Sequence, residues 1–126
     1  MSAETNRASV RRFFGEVYNY RNLGILDEIL DPDVVNHNTR VHGLEGAKLY
    51  IASINAKCPD ILSTLTDTVA DGDKVVVGGS TSFTHQSDGK QVSLSWIEIL
   101  RLKHGNIVEA WFEADPRFFA DQPASE

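Results

Sequence analysis

The sequence predicts an α+β protein in which helices cover one face of a curled antiparallel sheet. Three observations carry this. The first half has apolar residues at helical spacing, the second half alternates with period two, and short turn signals punctuate the second half alone. In the opening segment Val10, Phe13, Phe14, Val17 and Tyr18 fall at i, i+3, i+4, i+7 and i+8, one stripe of an amphipathic helix starting near Asn6. Asn22–Leu30 reads as a second, short helix closed by a turn at Asp31-Pro32-Asp33. An extended piece, VVNHNTRVHG, leads into a third helix, Leu44–Lys57. That helix turns Ala47, Tyr50, Ile51 and Ile54 inward and stops before Pro59.

Four strands follow: Ile61–Ala70, Lys74–His85, Gln91–His104 and Ile107–Asp115, all rich in Val, Ile, Thr and aromatics. Asp71-Gly72-Asp73, Ser87-Asp88-Gly89-Lys90 and His104-Gly105-Asn106 connect them, and links this short make antiparallel neighbours. Gly78-Gly79 inside a strand marks a bulge or bend. A curled sheet wrapped over helices leaves a cone whose mouth is the place for a ligand. An open hollow above roughly 300 Å³ would suit that use.

The 126 residues argue for one domain, 1–126, with a core of about 6–115 and a tail of 116–126. A net charge of −6 weighs against nucleic acid, which needs a basic face, and against an anionic membrane surface. No apolar run approaches the ~20 residues of a spanning helix, so no membrane partner is expected. The lone Cys58 has no partner for an intramolecular disulfide and reads as a free structural thiol, which points to a cytoplasmic setting. The four histidines show no metal spacing, and neither a metal nor a cofactor is expected.

One residue breaks the pattern. Alternation puts Val92, Leu94, Trp96, Glu98, Leu100 and Leu102 on one face of the third strand, so Glu98 is a carboxylate in an apolar row. Arg101 lies on the other face and cannot neutralise it. Either another element pairs with Glu98, or the strand lines a cavity that uses a carboxyl group raised in pKa by desolvation. In the last strand Val108, Ala110, Phe112 and Ala114 share a face, opposite Ile107, Glu109, Trp111 and Glu113. The outer face, with Ile97, Ile99 and Trp111, is apolar enough for a homodimer interface.

The segments RRFFGEVYNYRNLGILDEILDPDVVNHN, GLEGAKLYIASINAKCPD, DGDKVVVGGSTSFTHQ and SWIEILRLKHGNIVEAWFEAD resemble the SnoaL-like polyketide cyclases. That family sits in the nuclear transport factor 2-like superfamily, with the ketosteroid isomerases, limonene epoxide hydrolases and scytalone dehydratases. The resemblance implies a cone-shaped α+β barrel, usually a homodimer, whose pocket takes a small, largely apolar carbonyl compound. It implies cofactor-free acid/base chemistry of isomerase, cyclase or dehydratase type. By the same likeness Glu98 holds a pocket acid position, His37 a pocket histidine position and Asn36 a polar substrate-contacting position. The aspartate that the cyclases carry just after the tryptophan of the last strand is Phe112 here, and the isomerases' oxyanion tyrosine aligns with Phe13 or Phe14.

Glu98 and His37 are therefore the candidate acid/base pair, His37 having a pKa range suited to proton transfer or else capping its turn. Asn36, Tyr18, Trp96, Phe112, Phe14, His85 and Asp115 are candidate ligand contacts. Tyr18 reads more readily as core, His85 as a rim or turn residue, and Asp115 as a strand-ending turn residue. The tail brings Phe118 and Phe119 over the cavity mouth or onto a partner. A non-catalytic binding or dimerisation module is the alternative. Epoxide hydrolysis, needing an arginine beside its carboxylates, ranks last because Arg101 faces away.

Overall fold

A computed structural model describes residues 3–19, 22–85 and 88–114, without the side chains of Tyr18 and Lys57. Helix α1 (Ala3–Arg12) continues as a π-helical stretch, Phe13–Asn19, and the predicted stripe of Val10, Phe13, Phe14 and Val17 is buried throughout. A 3₁₀ turn (Leu23–Ile25) runs into a four-residue helix α2 (Leu26–Ile29). The next residue, Leu30, is already extended at φ −98°, ψ 140°. It opens strand β1 (Leu30–Asn36), which carries Asp31-Pro32-Asp33 inside it where a turn was expected. Pro32 has no N–H to give a ladder, and an irregularity between Leu30 and Val35 in the pairing with the neighbouring strand takes it up.

Strand β2 (Val41–His42) is two residues long and leads into α3 (Gly43–Lys57), entered through Gly43 at φ +82°, a conformation that favours glycine. Ala47, Ile51 and Ile54 are buried on the predicted face of α3, with Tyr50 half-buried beside them.

The meander of β3 (Leu62–Asp71), β4 (Lys74–Thr84), β5 (Gln91–Lys103) and β6 (Asn106–Ala114) forms as expected, each strand antiparallel to the next. The full order is β2-β1-β6-β5-β4-β3, and β1 runs parallel to β6. The sheet is thus mixed, a correction to the all-antiparallel expectation. No short turn ties β1 to β6, so nothing local fixes their relative direction.

Two irregularities shape the inner face. Leu65 pairs with Gly79 and Asp67 with Gly78, leaving Thr66 as the extra residue, so the bulge lies on β3 opposite the glycine pair. In the other, Arg101 pairs with Glu109 but Leu102 with Ile107, so Val108 is skipped. Ile107 therefore joins Ala110 inside, which corrects the expected sharing of a face by Val108 and Ala110. Along β5, Leu94, Trp96, Glu98, Leu100 and Leu102 are all buried and face the helices, as alternation predicts.

Candidate functional site

Glu98 is 7% exposed and sits mid-strand on β5, opposite Phe112 of β6. Its neighbour is Asn36, the last residue of β1, which the parallel pairing sets beside Ala110. Asn36 Nδ2 donates to Glu98 Oε2 at 3.3 Å, and Asn36 Oδ1 accepts the backbone N–H groups of Asn38 and Thr39, both at 3.3 Å. One amide thus fixes both the acid and the loop after β1. Burial pushes the Glu98 carboxyl up to about 8, against a weaker downward pull from Asn36. At neutral pH it is a neutral carboxylic acid, able to donate its proton in a hydrogen bond.

The cone holds two small lobes that meet at Glu98, Asn36, Thr39 and Tyr50. One, of about 50 Å³, is walled by Phe14, Trp96 and Phe112 and reaches Ser63 and Thr81. The other, of about 60 Å³, lies toward Phe13, Val34, Leu100 and Ala110. Both are well short of the roughly 300 Å³ hollow anticipated, because aromatic rings occupy much of the cone. Trp96 stacks on Phe14 with centroids 5.1 Å apart and lies 5.8 Å from Phe112. Its indole Nε1 donates to Thr81 Oγ1 at 2.8 Å, and Thr81 Oγ1 is 3.0 Å from Ser63 Oγ. Thr39 Oγ1 is buried without a hydrogen-bond partner among the described residues. Glu98 and Tyr50 are the titratable side chains lining the two lobes among the described residues.

Phe14, Asn36, Trp96, Glu98 and Phe112 therefore meet as the sequence anticipates. His37 does not join them. It is one residue past Asn36, so its side chain takes the opposite face of the sheet. There Nε2 lies 2.7 Å from Glu109 Oε2, and the ring stacks on Trp111 at 4.9 Å. Arg101 Nε donates to the other Glu109 oxygen at 2.8 Å, and these two partners hold the Glu109 carboxyl below the usual carboxylate range, Arg101 more than His37. The expected His37–Glu98 pair is replaced by an outer His37–Glu109–Arg101 chain. His85 follows β4 and sits beside Asp88, with Nδ1 3.3 Å from Oδ1, and does not line the cavity. The ring of Tyr18, together with Asp115, Phe118 and Phe119, lies outside the described residues.

Four lining residues carry roles that the sequence did not suggest: Thr39, Tyr50, Ser63 and Thr81. The helical stripe placed Tyr50 inward, and alternation could have placed Ser63 and Thr81. Thr39, in an irregular loop, gave no signal.

Compared with known families, the chain matches the SnoaL-like domain over residues 10–110. The chain belongs to the SnoaL-like family. Solved structures agree on the fold, a cone-type α+β domain of the nuclear transport factor 2-like superfamily. A protein named as a SnoaL-like polyketide cyclase from Jannaschia sp. CCS1 superposes with a TM-score of 0.82 at 18% identity, over 98% of this chain and 94% of its own. TsrD from Streptomyces laurentii gives 0.82 at 25% identity, over 91% of each chain. IdmH from Streptomyces antibioticus, named as a polyketide cyclase, gives 0.76 at 24%, over 87% of this chain and 91% of its own. No curated protein matches. In this SnoaL-like domain no described helix is long and apolar enough to cross a membrane.

Proposed function

We propose that this SnoaL-like protein binds a small, largely apolar carbonyl compound in the cone and promotes its enolisation without a cofactor. Such a step underlies isomerase-, cyclase- and dehydratase-type reactions. The observation that carries the reading is the neutral Glu98 carboxyl, buried between the two lobes with, among the described residues, a single 3.3 Å bond from Asn36. A protonated carboxyl donates to a ligand's carbonyl oxygen and strengthens that bond as the α C–H proton leaves and charge grows on oxygen. Glu98 thus supplies the acid half, and solvent takes the proton from carbon. Trp96, Phe14 and Phe112 form the walls, and a ring is accommodated where the lobes join beside Tyr50.

The second reading, a non-catalytic binding or dimerisation module, is favoured by Phe112 at the cyclases' acid position and by the outward turn of His37. Homodimerisation through the outer face, where Ile97 is 53% and Val76 38% exposed beside Ile99 and Trp111, fits either reading. The buried thiol of Cys58 accords with a cytoplasmic location.

Proton-to-deuterium exchange α to the carbonyl of cyclohexanone and 2-tetralone, followed by NMR, separates the readings. The wild type is expected to accelerate exchange, with the rate falling as pH rises through about 8. Glu98→Gln keeps an N–H donor but has no proton to transfer, so binding persists while exchange drops on the order of 100-fold. Unchanged exchange in that variant removes Glu98 from the reaction. Binding without any exchange in the wild type leaves the module.

A further inference from the structure

The Ser63–Thr81–Trp96 chain has one hydrogen more than it can use. Its three donors are the indole N–H and two hydroxyls, and two hydrogen bonds join them: Trp96 Nε1 to Thr81 Oγ1, and Ser63 Oγ with Thr81 Oγ1. Whichever hydroxyl donates across the 3.0 Å contact, the other's O–H has no acceptor among the described residues. Ser63 is 8% and Thr81 4% exposed, so solvent is a poor substitute. Both line the aromatic lobe that also holds Glu98. Thr81 stands opposite Leu94 and Glu98 opposite Val77, so the two polar ends are four residues apart along the sheet, ~13 Å at strand rise. The Trp96 indole lies between them.

We propose that Ser63 and Thr81 form a second polar subsite, which takes a neutral acceptor oxygen at the end of the ligand remote from Glu98. The preferred ligand is then a flat, fused two-ring carbonyl compound with a second oxygen, carbonyl or ether, at the far end of its skeleton. This deepens the carbonyl-binding reading and rests on it. The subsite holds no charge, so it selects an uncharged oxygen over a carboxylate. It also fixes which end of the ligand meets Glu98.

2-Tetralone and 6-methoxy-2-tetralone test this by calorimetry, since the ether group is the sole addition and the two oxygens, ~7.5 Å apart, reach both ends with a hydrogen bond of ~2.8 Å at each. With the full chain, the methoxy ketone is expected to bind at least tenfold tighter. In Ser63→Ala/Thr81→Val that preference falls to twofold or less, while 2-tetralone affinity stays within about threefold. If loss of the indole's acceptor stops that variant folding, adding Trp96→Phe removes the orphaned N–H, and the ratio of the two affinities is read there. A wild-type preference of twofold or less, or a preference that survives the substitutions, overturns the subsite alone. Glu98→Leu is expected to weaken both ketones alike. Failure of both ketones to bind the wild type overturns the carbonyl reading and the subsite with it.

Discussion

A carboxyl that stays protonated to about pH 8 in the folded chain but ionises near 4.5 when unfolded links Glu98 to stability. Between those values the folded state holds a proton that the unfolded state has released. Stability is therefore lost as pH rises from about 4.5 to 8, and the loss is constant above that. The full cost is on the order of 5 kcal/mol. Glu98→Gln, which keeps the shape and never ionises, is expected to match the wild type near pH 5 and exceed it by a few kcal/mol at pH 8.5. Urea denaturation at the two pH values measures it; a gap that does not grow with pH contradicts the assignment. Much of this centre was legible in the sequence, because alternation alone turns Glu98 inward with Trp96. His37 was not, since one position at a strand end decides which face a side chain takes. Thr39 was not either, because loop geometry has no period to read.

At the scale of the elements, turn chemistry and alternation made the meander legible, while the bulges had to be seen. Gly79 shows why. A Cβ there would stand 2.6 Å from the Thr64 carbonyl oxygen and 2.7 Å from the Trp96 ring, so the glycine is what lets β3 and the indole close on one another. At Gly78 the nearest atom is 3.6 Å away, an ordinary contact. Gly79→Ala is expected to destabilise the protein by about 3 kcal/mol and to displace Trp96, whereas Gly78→Ala stays within about 1 kcal/mol. Chemical denaturation monitored by tryptophan fluorescence distinguishes them. The pair spelled a bulge in the sequence, but not that the extra residue, Thr66, would belong to the opposite strand. The parallel run of β1 was hidden for a related reason. Asp31-Pro32-Asp33 has turn composition, and only pairing with a strand much later in the chain makes it extended.

For the molecule as a whole, the two faces of one sheet do different work. The inner face carries the acid and the rings; the outer carries an apolar strip from Val76 through Ile97 and Ile99 to Trp111. If that strip is the proposed dimer interface, Ile97→Asp is expected to convert the protein to a monomer in size-exclusion chromatography with light scattering, with its inner face intact. A wild type that is monomeric at high concentration contradicts the interface.

Asn36 and Glu98 lie 62 positions apart in the chain, and only the β1–β6 pair brings them together. Strands β3 to β6 can zip up locally through tight hairpins, whereas β1 must close a long loop first, and loop closure of that kind is slow. Topology therefore sets the expected order of folding as hairpins first and β1 last. The bond that seats the acid is made at the final step, so a chain that stalls one stage short has nearly all of its sheet and none of its reactive centre.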